Sequence, residues 1–430
     1  MSHKNCDGVT RRNALQVGVV GLTGLTLSDY LRLANAESEK KSTADSVLFI
    51  NLAGGPAHLD TLDMKPEGPA ETRGEFKAIP SKLPGLQVCE YMPKFAAAAN
   101  EFTLIRGISH SAGSHPLGQS YISTGNLPSP AVVYPSLGSV VGKEIPGQPD
   151  LPPYVAIPQT EWNAGYMGDG FAPFKTNAVP KPGQAFAVRG ITLAEGVTIE
   201  KVNRREQLLK DLDVTFRNAD TNSQLVEALD TFSKQAYNMI TSTRTREAFD
   251  VSREPESISK LFEANELGQS LLLATRLIEY GVKFITVTNQ GWDTHLDNFK
   301  GHRRLIPPLD AGLTATLTAL KEKGLLDRTL IVAMGEFGRT PKINQNVGRD
   351  HYPRVNWSLM AGGGVKPAQI IGGTDDGGTA PDDDTNIKPD DIGASIFAAL
   401  GIDHLMEYHT RTGQPVSLIP HGEVIENLFV

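Results

Sequence analysis

The feature that most narrows the fold is an alternation of helical and buried-strand patterns in the second half of the chain. Residues 258–280 carry Leu261, Phe262, Leu267, Leu271, Leu272, Leu277 and Ile278 at helical spacing; Gly281 stops the pattern and residues 283–288 follow as a strand. The same unit recurs as a helix over 306–323, a stop at Gly324 and a strand over 329–334. Near the start, residues 46–52 form an almost continuous apolar run that ends in Ala53-Gly54-Gly55-Pro56, the pattern of a strand covered on both faces. A second such run, residues 102–106, comes after a helical stretch around residues 94–100. Strand, crossover and strand in this order predict a single α/β domain over 46–430. Its sheet is expected to be doubly wound, mostly parallel and flanked by helices. Two insertions interrupt it: a loop-rich, Pro- and Gly-rich excursion at 146–199 and a polar helical insert at 204–253. Residues 375–391 read as an exposed loop and 391–401 as a short helix with a Gly stop.

The N-terminus reads as an address. Thr10-Arg11-Arg12-Asn13-Ala14-Leu15 opens an apolar run that continues to Leu27, and Ala34-Asn35-Ala36 offers a small-x-small cleavage site. We therefore expect a twin-arginine signal peptide over residues 1–36, a mature start near Glu37 with a polar linker at 37–45, and a periplasmic or secreted product. A short membrane anchor is the alternative. The apolar run, about a dozen residues, is well short of the ~20 that span a bilayer, so no stable transmembrane segment is expected. With 41 Lys and Arg against 49 Asp and Glu, and no dense basic run in the mature chain, nucleic acid is not an expected partner. Cys6 and Cys89 cannot form a disulfide framework. Nothing in the sequence speaks to oligomeric state.

Ligands in doubly wound sheets bind beyond the carboxyl ends of the strands. Polar clusters gather there: His58 and Asp60 after the first strand, Ser109-His110-Ser111 and Ser114-His115 after the second, Gly291-Trp292-Asp293-Thr294-His295 after 283–288, and Gly335-Glu336-Phe337-Gly338-Arg339 after 329–334. Asp350-His351 follows in the next loop. Carboxylate oxygens and imidazole nitrogens converging on one edge are the ligand chemistry of a hydrolytic divalent metal, with zinc, manganese or iron favoured over calcium or magnesium. Each motif alone has a plain alternative: a turn residue beside a surface imidazole, or Glu336 paired with Arg339. Trp292 and Tyr352 flank the motifs and form either an aromatic wall for a sugar ring or loop packing.

Taken together, residues 46–55, 115–125, 291–295 (GWDTH), 335–341 (GEFGRTP), 348–353 (GRDHYP) and 391–402 (DIGASIFAALGI) resemble the bacterial family called domain of unknown function 1501. That family is similar to the superfamily of alkaline phosphatases, sulfatases and cofactor-independent phosphoglycerate mutases. The resemblance implies an alkaline phosphatase-like α/β fold with one or two metals at the sheet edge. By position it implies Asp293 with His295 or Asp297 as one metal pair, Glu336 in the place of a ligand Asp, and His351 as the last metal-binding His. Two positions depart from the pattern. Ala53-Gly54 stands where a metal-binding Asp usually ends the first strand, with His58 and Asp60 a few residues later, and Phe337 stands where a His usually follows. The departures imply a single metal or a rearranged pair. The nucleophile register, about nine residues before Thr124-Gly125, lands on His115 beside Ser114, and the Cys-x-Pro-x-Arg signature of formylglycine sulfatases is absent.

The expected activity is an exported metal-dependent hydrolase of sulfate or phosphate esters, on small molecules or polysaccharides. Arg339 or Arg349 would balance anionic charge, and the attacking group would be Ser114, His115 or a metal-activated water. His115 could equally be a metal ligand, or a histidine satisfied within the fold. Asp293, His295, Glu336, Asp350, His351, His58 and Asp60 form the candidate metal set. An inactive metal- or glycan-binding protein, and a scaffold docking through 146–199, are the competing readings on the same fold.

Overall fold

A computed structural model describes residues 42–182, 184, 186, 188–191, 198–204, 207, 236–410 and 412–430. The expected signal peptide, most of the linker and the centre of the 204–253 insert lie outside the described residues.

The centre is an eight-stranded sheet built as the alternation predicts. Its strands are β1 (Ser46–Ala53), β2 (Thr103–Ile108), β3 (Tyr154–Ile157), β4 (Phe174–Lys175), β5 (Phe284–Gln290), β6 (Thr329–Met334), β7 (Asn356–Ala361) and β8 (Gln369–Ile371), in spatial order β8-β2-β7-β6-β1-β5-β3-β4. Every pairing is parallel except those of β7, which runs against both β2 and β6. The doubly wound, mostly parallel sheet read from the sequence is therefore present, with one reversed strand inside it. β1 has seven buried residues out of eight, because apolar clusters cover both faces of the sheet. Leu48, Ile50 and Leu52 face one cluster; Val47 and Phe49 face the other.

Helices that bear on the site or the core include α1 (His115–Thr124), α2 (Leu137–Glu144), α3 (Glu266–Glu279), α4 (Asn298–Glu322) and α5 (Pro389–Ala399). Two differ from expectation at their starts. The pattern at 258–280 is broken into a short turn at Glu256–Ser259 and α3, because the Asn265 side chain accepts from Gly268 N–H and caps a new helix. α4 starts eight residues before residue 306 and runs through Pro307 and Pro308, which resemble a helix start in sequence. Beyond the sheet edge, Gly338–Arg339 pairs with His351–Tyr352 in a two-residue antiparallel ribbon that brings distant loops together. Cys89 is buried as a free thiol, and burial pushes it up to about 12, so it stays protonated and inert.

Candidate functional site

β6, β1 and β5 are neighbours and parallel, so the loops after Met334, Ala53 and Gln290 leave the same edge. Gly54 lets them close on one another. It sits at φ +113°, a side chain there would lie 2.3 Å from the Asp293 amide nitrogen, and its own N–H donates to both Glu336 oxygens at 3.0 and 3.1 Å. The loop after β5 is pinned by Trp292 N–H to the Ala53 carbonyl at 3.2 Å. On the other side, α1 lies flush against Glu336 and Phe337 at Gly118, where an added Cβ would sit 3.1 Å from both side chains.

Four side chains meet in this corner. His115, Asp293, His295 and His351 place one ligand atom each within 4.8 Å of one another. His115 Nε2 is 3.1 Å from Asp293 Oδ2. Asp293 Oδ1 is 3.1 Å from His295 Nε2 and 3.4 Å from His351 Nε2. The His295 and His351 Nε2 atoms are 3.0 Å apart. The four side chains are 23–46% exposed, so the group opens to solvent.

The outer nitrogens of the imidazoles are all engaged. His351 Nδ1 is 2.9 Å from the Gly113 carbonyl, which can only accept, so this nitrogen carries the proton. His295 Nδ1 donates to Asp350 Oδ1 at 2.6 Å, and His115 Nδ1 to Glu336 Oε1 at 2.6 Å. With their Nδ1 atoms held this way, imidazoles in the neutral form turn three Nε2 lone pairs toward one carboxylate. Two lone pairs facing each other at 3.0 Å repel unless a proton or a cation lies between them. The arrangement fits a divalent metal, with His115 Nε2 turned toward Asp293 Oδ2 at 3.1 Å on its inner side. Donating a hydrogen bond to Glu336 raises the His115 pKa against the opposing effect of burial, whereas burial first, then the neighbouring charges, lowers that of His351. Burial opposes ionisation of Asp293, but Arg339 outweighs it and holds the carboxyl below the usual range.

Of the candidate metal set, the structure brings Asp293, His295 and His351 together and adds His115, in the nucleophile register. The other four lie elsewhere. Glu336 is fully buried behind His115, accepting from Gly54 N–H and from Gln119 Nε2 at 2.6 Å, so it orients that imidazole and offers nothing to the centre of the group. Asp350 does the same for His295 from an exposed loop. His58 and Asp60 correct the reading outright: the chain after Pro56 turns inward as a short 3-10 helix and buries both. His58 Nε2 donates to the Gly378 carbonyl at 2.9 Å. Asp60 is neutralised by a two-point pair with Arg349 at 2.7 and 2.9 Å and by Asn298 Nδ2 at 2.8 Å.

The expected catalytic residues are also redistributed. Arg339 is buried and spends its donors on the Gly54, Gly55 and Arg349 carbonyls and on Asp293 Oδ1 at 2.7 Å. It is a strut for the ligand carboxylate. Ser114 is exposed, and its hydroxyl pairs with no base among the described residues. Trp292 is buried with its indole N–H on Asn289 Oδ1 at 2.8 Å and forms no exposed wall, whereas the half-buried Tyr352 donates its hydroxyl to the Thr379 carbonyl and stacks its ring on His58. Phe337, in place of the expected His, packs its ring 5.2 Å from His115 and 4.6 Å from His351.

A cavity of about 390 Å³ adjoins the His115 and Asp293 side of the group, with Asn51 and Gln119 on its floor. Asn51 Nδ2 donates to Gln119 Oε1 at 2.8 Å and so extends the Glu336 network. Sequence reasoning missed this pair, although two signals were available. Asn51 is the polar residue inside an apolar strand, and Gln119 lies one helical turn after His115 on the same face.

No curated protein matches the chain in sequence. Among solved structures it is similar to the lipoteichoic acid synthase LtaP from Listeria monocytogenes (12% identity, 90% of this chain and 80% of that one, TM-score 0.36). It is also similar to the PsFucS1 sulfatase from Pseudoalteromonas sp. (14%, 87% and 70%, 0.35). A third is a TAB5 alkaline phosphatase variant with Mg bound in its M3 site (10%, 84% and 99%, 0.36). The family model described as Protein of unknown function (DUF1501) matches residues 44–429, and the chain belongs to that family.

Proposed function

We propose that this chain is an exported metal-dependent hydrolase of sulfate or phosphate esters. The observation that carries the metal part is the convergence of His115, His295 and His351 Nε2 on the Asp293 carboxylate, with every Nδ1 held from behind. Three nitrogens and one oxygen suit zinc, manganese or iron better than calcium or magnesium. A divalent cation bound there would supply Lewis acidity toward an ester oxygen and a water-derived nucleophile near neutral pH. The chain's own residues do the rest: Arg339 steadies Asp293, Glu336 and Asp350 orient their imidazoles, and Phe337 walls off one side. Among the described residues no side chain is set up as a nucleophile, since His115 turns Nε2 into the group and Ser114 is paired with no base. This favours direct attack by water over a covalent intermediate. The choice of sulfate or phosphate esters rests on the sequence resemblance, and export rests on the twin-arginine segment.

The test is elemental analysis of the purified protein, alone and after reloading with zinc, manganese or iron, beside an ester panel of p-nitrophenyl phosphate, a phosphodiester and a sulfate. The expected result is about one equivalent of metal in the wild type. Metal and hydrolysis should be lost together in Asp293→Ala and His351→Ala. A protein that takes up none of the three metals overturns the proposal. One that binds metal but cleaves no ester is a binding protein on this fold.

A further inference from the structure

The cavity beside the four-residue group has a composition of its own. One wall is Gln159, Thr160, Glu161 and Trp162, from the 146–199 excursion; Thr288 and Gln290 at the end of β5 adjoin it. The excursion wall is braced. Thr288 Oγ1 donates to the Gln159 carbonyl at 2.9 Å, Trp162 N–H donates to Thr160 Oγ1 at 3.3 Å, and the Asn163 carbonyl accepts from Ser136 N–H at 2.9 Å. Among the described residues no Lys or Arg lines the cavity, and the two arginines behind it, Arg339 and Arg349, are buried and committed to carbonyls and carboxylates.

The groups that are left over point to a ligand. The side-chain amides of Gln159 and Gln290 and the indole N–H of Trp162 make no hydrogen bond to any described residue. Each amide offers two donors and an acceptor, the complement of neighbouring hydroxyls that each donate and accept. The half-buried Trp162 adds a flat apolar face with a polar edge. A volume of about 390 Å³ is in the range of small-molecule sites. Among the described residues of the lining the titratable side chains are the carboxylates Glu161, Asp293 and Glu336 and the imidazole His115, so the side toward Glu161 disfavours a second anionic group.

We infer that this cavity is a subsite for a neutral, hydroxyl-rich ring such as a pyranose unit, held by Trp162, Gln159 and Gln290. The inference rests on the hydrolase proposal only in saying that the ester-bearing carbon of the ring faces His115 and Asp293; binding of the ring does not require it.

The chain has three tryptophans, and Trp292 and Trp357 are buried, so Trp162 is the solvent-facing fluorophore. Full-length protein, metal-free and metal-loaded, is titrated with a panel of neutral methyl pyranosides, with inorganic sulfate and phosphate, and with choline. Fluorescence and calorimetry are the readouts. The expected result is saturable binding of at least one pyranoside, with quenching that disappears in Trp162→Phe. Affinity should fall tenfold or more in Gln159→Ala/Gln290→Ala, whose side chains are exposed and whose loss leaves the fold and the metal content unchanged. The inference is overturned if no pyranoside binds, if the double variant binds as the wild type does, or if only the anions or choline bind. A protein that binds metal and cleaves esters yet ignores every pyranoside loses this subsite and keeps the hydrolase; the reverse pattern loses the hydrolase and keeps the subsite.

Discussion

A ligand carboxylate and the carboxylate that holds a ligand imidazole are the same residue types at the same strand ends. That is why the sequence could nominate Asp293, Glu336 and Asp350 together but not sort them. Asp293 faces the three Nε2 atoms, whereas Glu336 and Asp350 stand one hydrogen bond behind His115 and His295. His58 and Asp60 were misplaced for a related reason: nothing in their spacing shows that the chain turns inward after Pro56 and gives Asp60 to Arg349. The two orienting carboxylates should behave differently on substitution. Asp350→Asn, at an exposed position, weakens the hold on His295 without disturbing packing. Metal affinity should drop about tenfold or somewhat more while the unfolding midpoint stays put. Glu336→Gln places an amide donor opposite Gly54 N–H and Gln119 Nε2, so it should lower metal affinity and also cost about 1–3 kcal/mol in stability. Competition against a chromophoric chelator and urea melts measure both. Wild-type affinity in Asp350→Asn would show that His295 needs no orientation.

At the level of elements, β1, β5 and β6 were readable because a strand buried on both faces has to be apolar almost throughout, and the Gly stops at 281 and 324 fixed where the helices end. Less readable was where helices begin. The αL residue Asp297 starts α4 well before Pro307-Pro308, and only the tertiary contact of its first turn with Asn346 and Val347 carbonyls shows this. The loops that carry the site depend on one approach: Gly54 against the Asp293 and Trp292 backbone. Gly54→Ala and Gly324→Ala both put a side chain at positive φ, which costs roughly 1–2 kcal/mol. Gly324 has nothing within 4 Å, whereas a methyl on Gly54 would meet rigid backbone at 2.3 Å. Gly54→Ala should therefore lose about 1–3 kcal/mol more than Gly324→Ala and should lose metal although all four ligands remain. Equal stability losses, or full metal occupancy in Gly54→Ala, would mean that the loops after β1 and β5 can separate freely.

Over the whole molecule, the doubly wound sheet was legible because it follows from alternation alone. The polar interior between the sheet edge and α4 was not, since its members are scattered from Ala57 to Trp357. His302 is one of them, fully buried on α4, with Nδ1 donating to the Asn298 carbonyl at 3.0 Å and Nε2 accepting from Ala57 N–H at 3.1 Å. That acceptor role is lost on protonation. Burial in the first place, with Arg349 and Arg339 adding to it against Asp60, lowers its pKa to about 4. An unfolded histidine takes up a proton near pH 6.5. Between that pH and about 4 the unfolded chain therefore binds a proton that the folded chain refuses, and stability falls as the pH falls. The contribution is complete above about pH 6.5 and its loss amounts to about 3 kcal/mol by pH 4. Urea unfolding of metal-free protein at pH 7 and pH 4.5 should show most of that loss. His302→Gln, destabilised at both pH values, should show a smaller difference between them. An identical pH difference in the variant would assign the acid sensitivity to the buried His58 and the half-buried His110, whose pKa values burial also lowers.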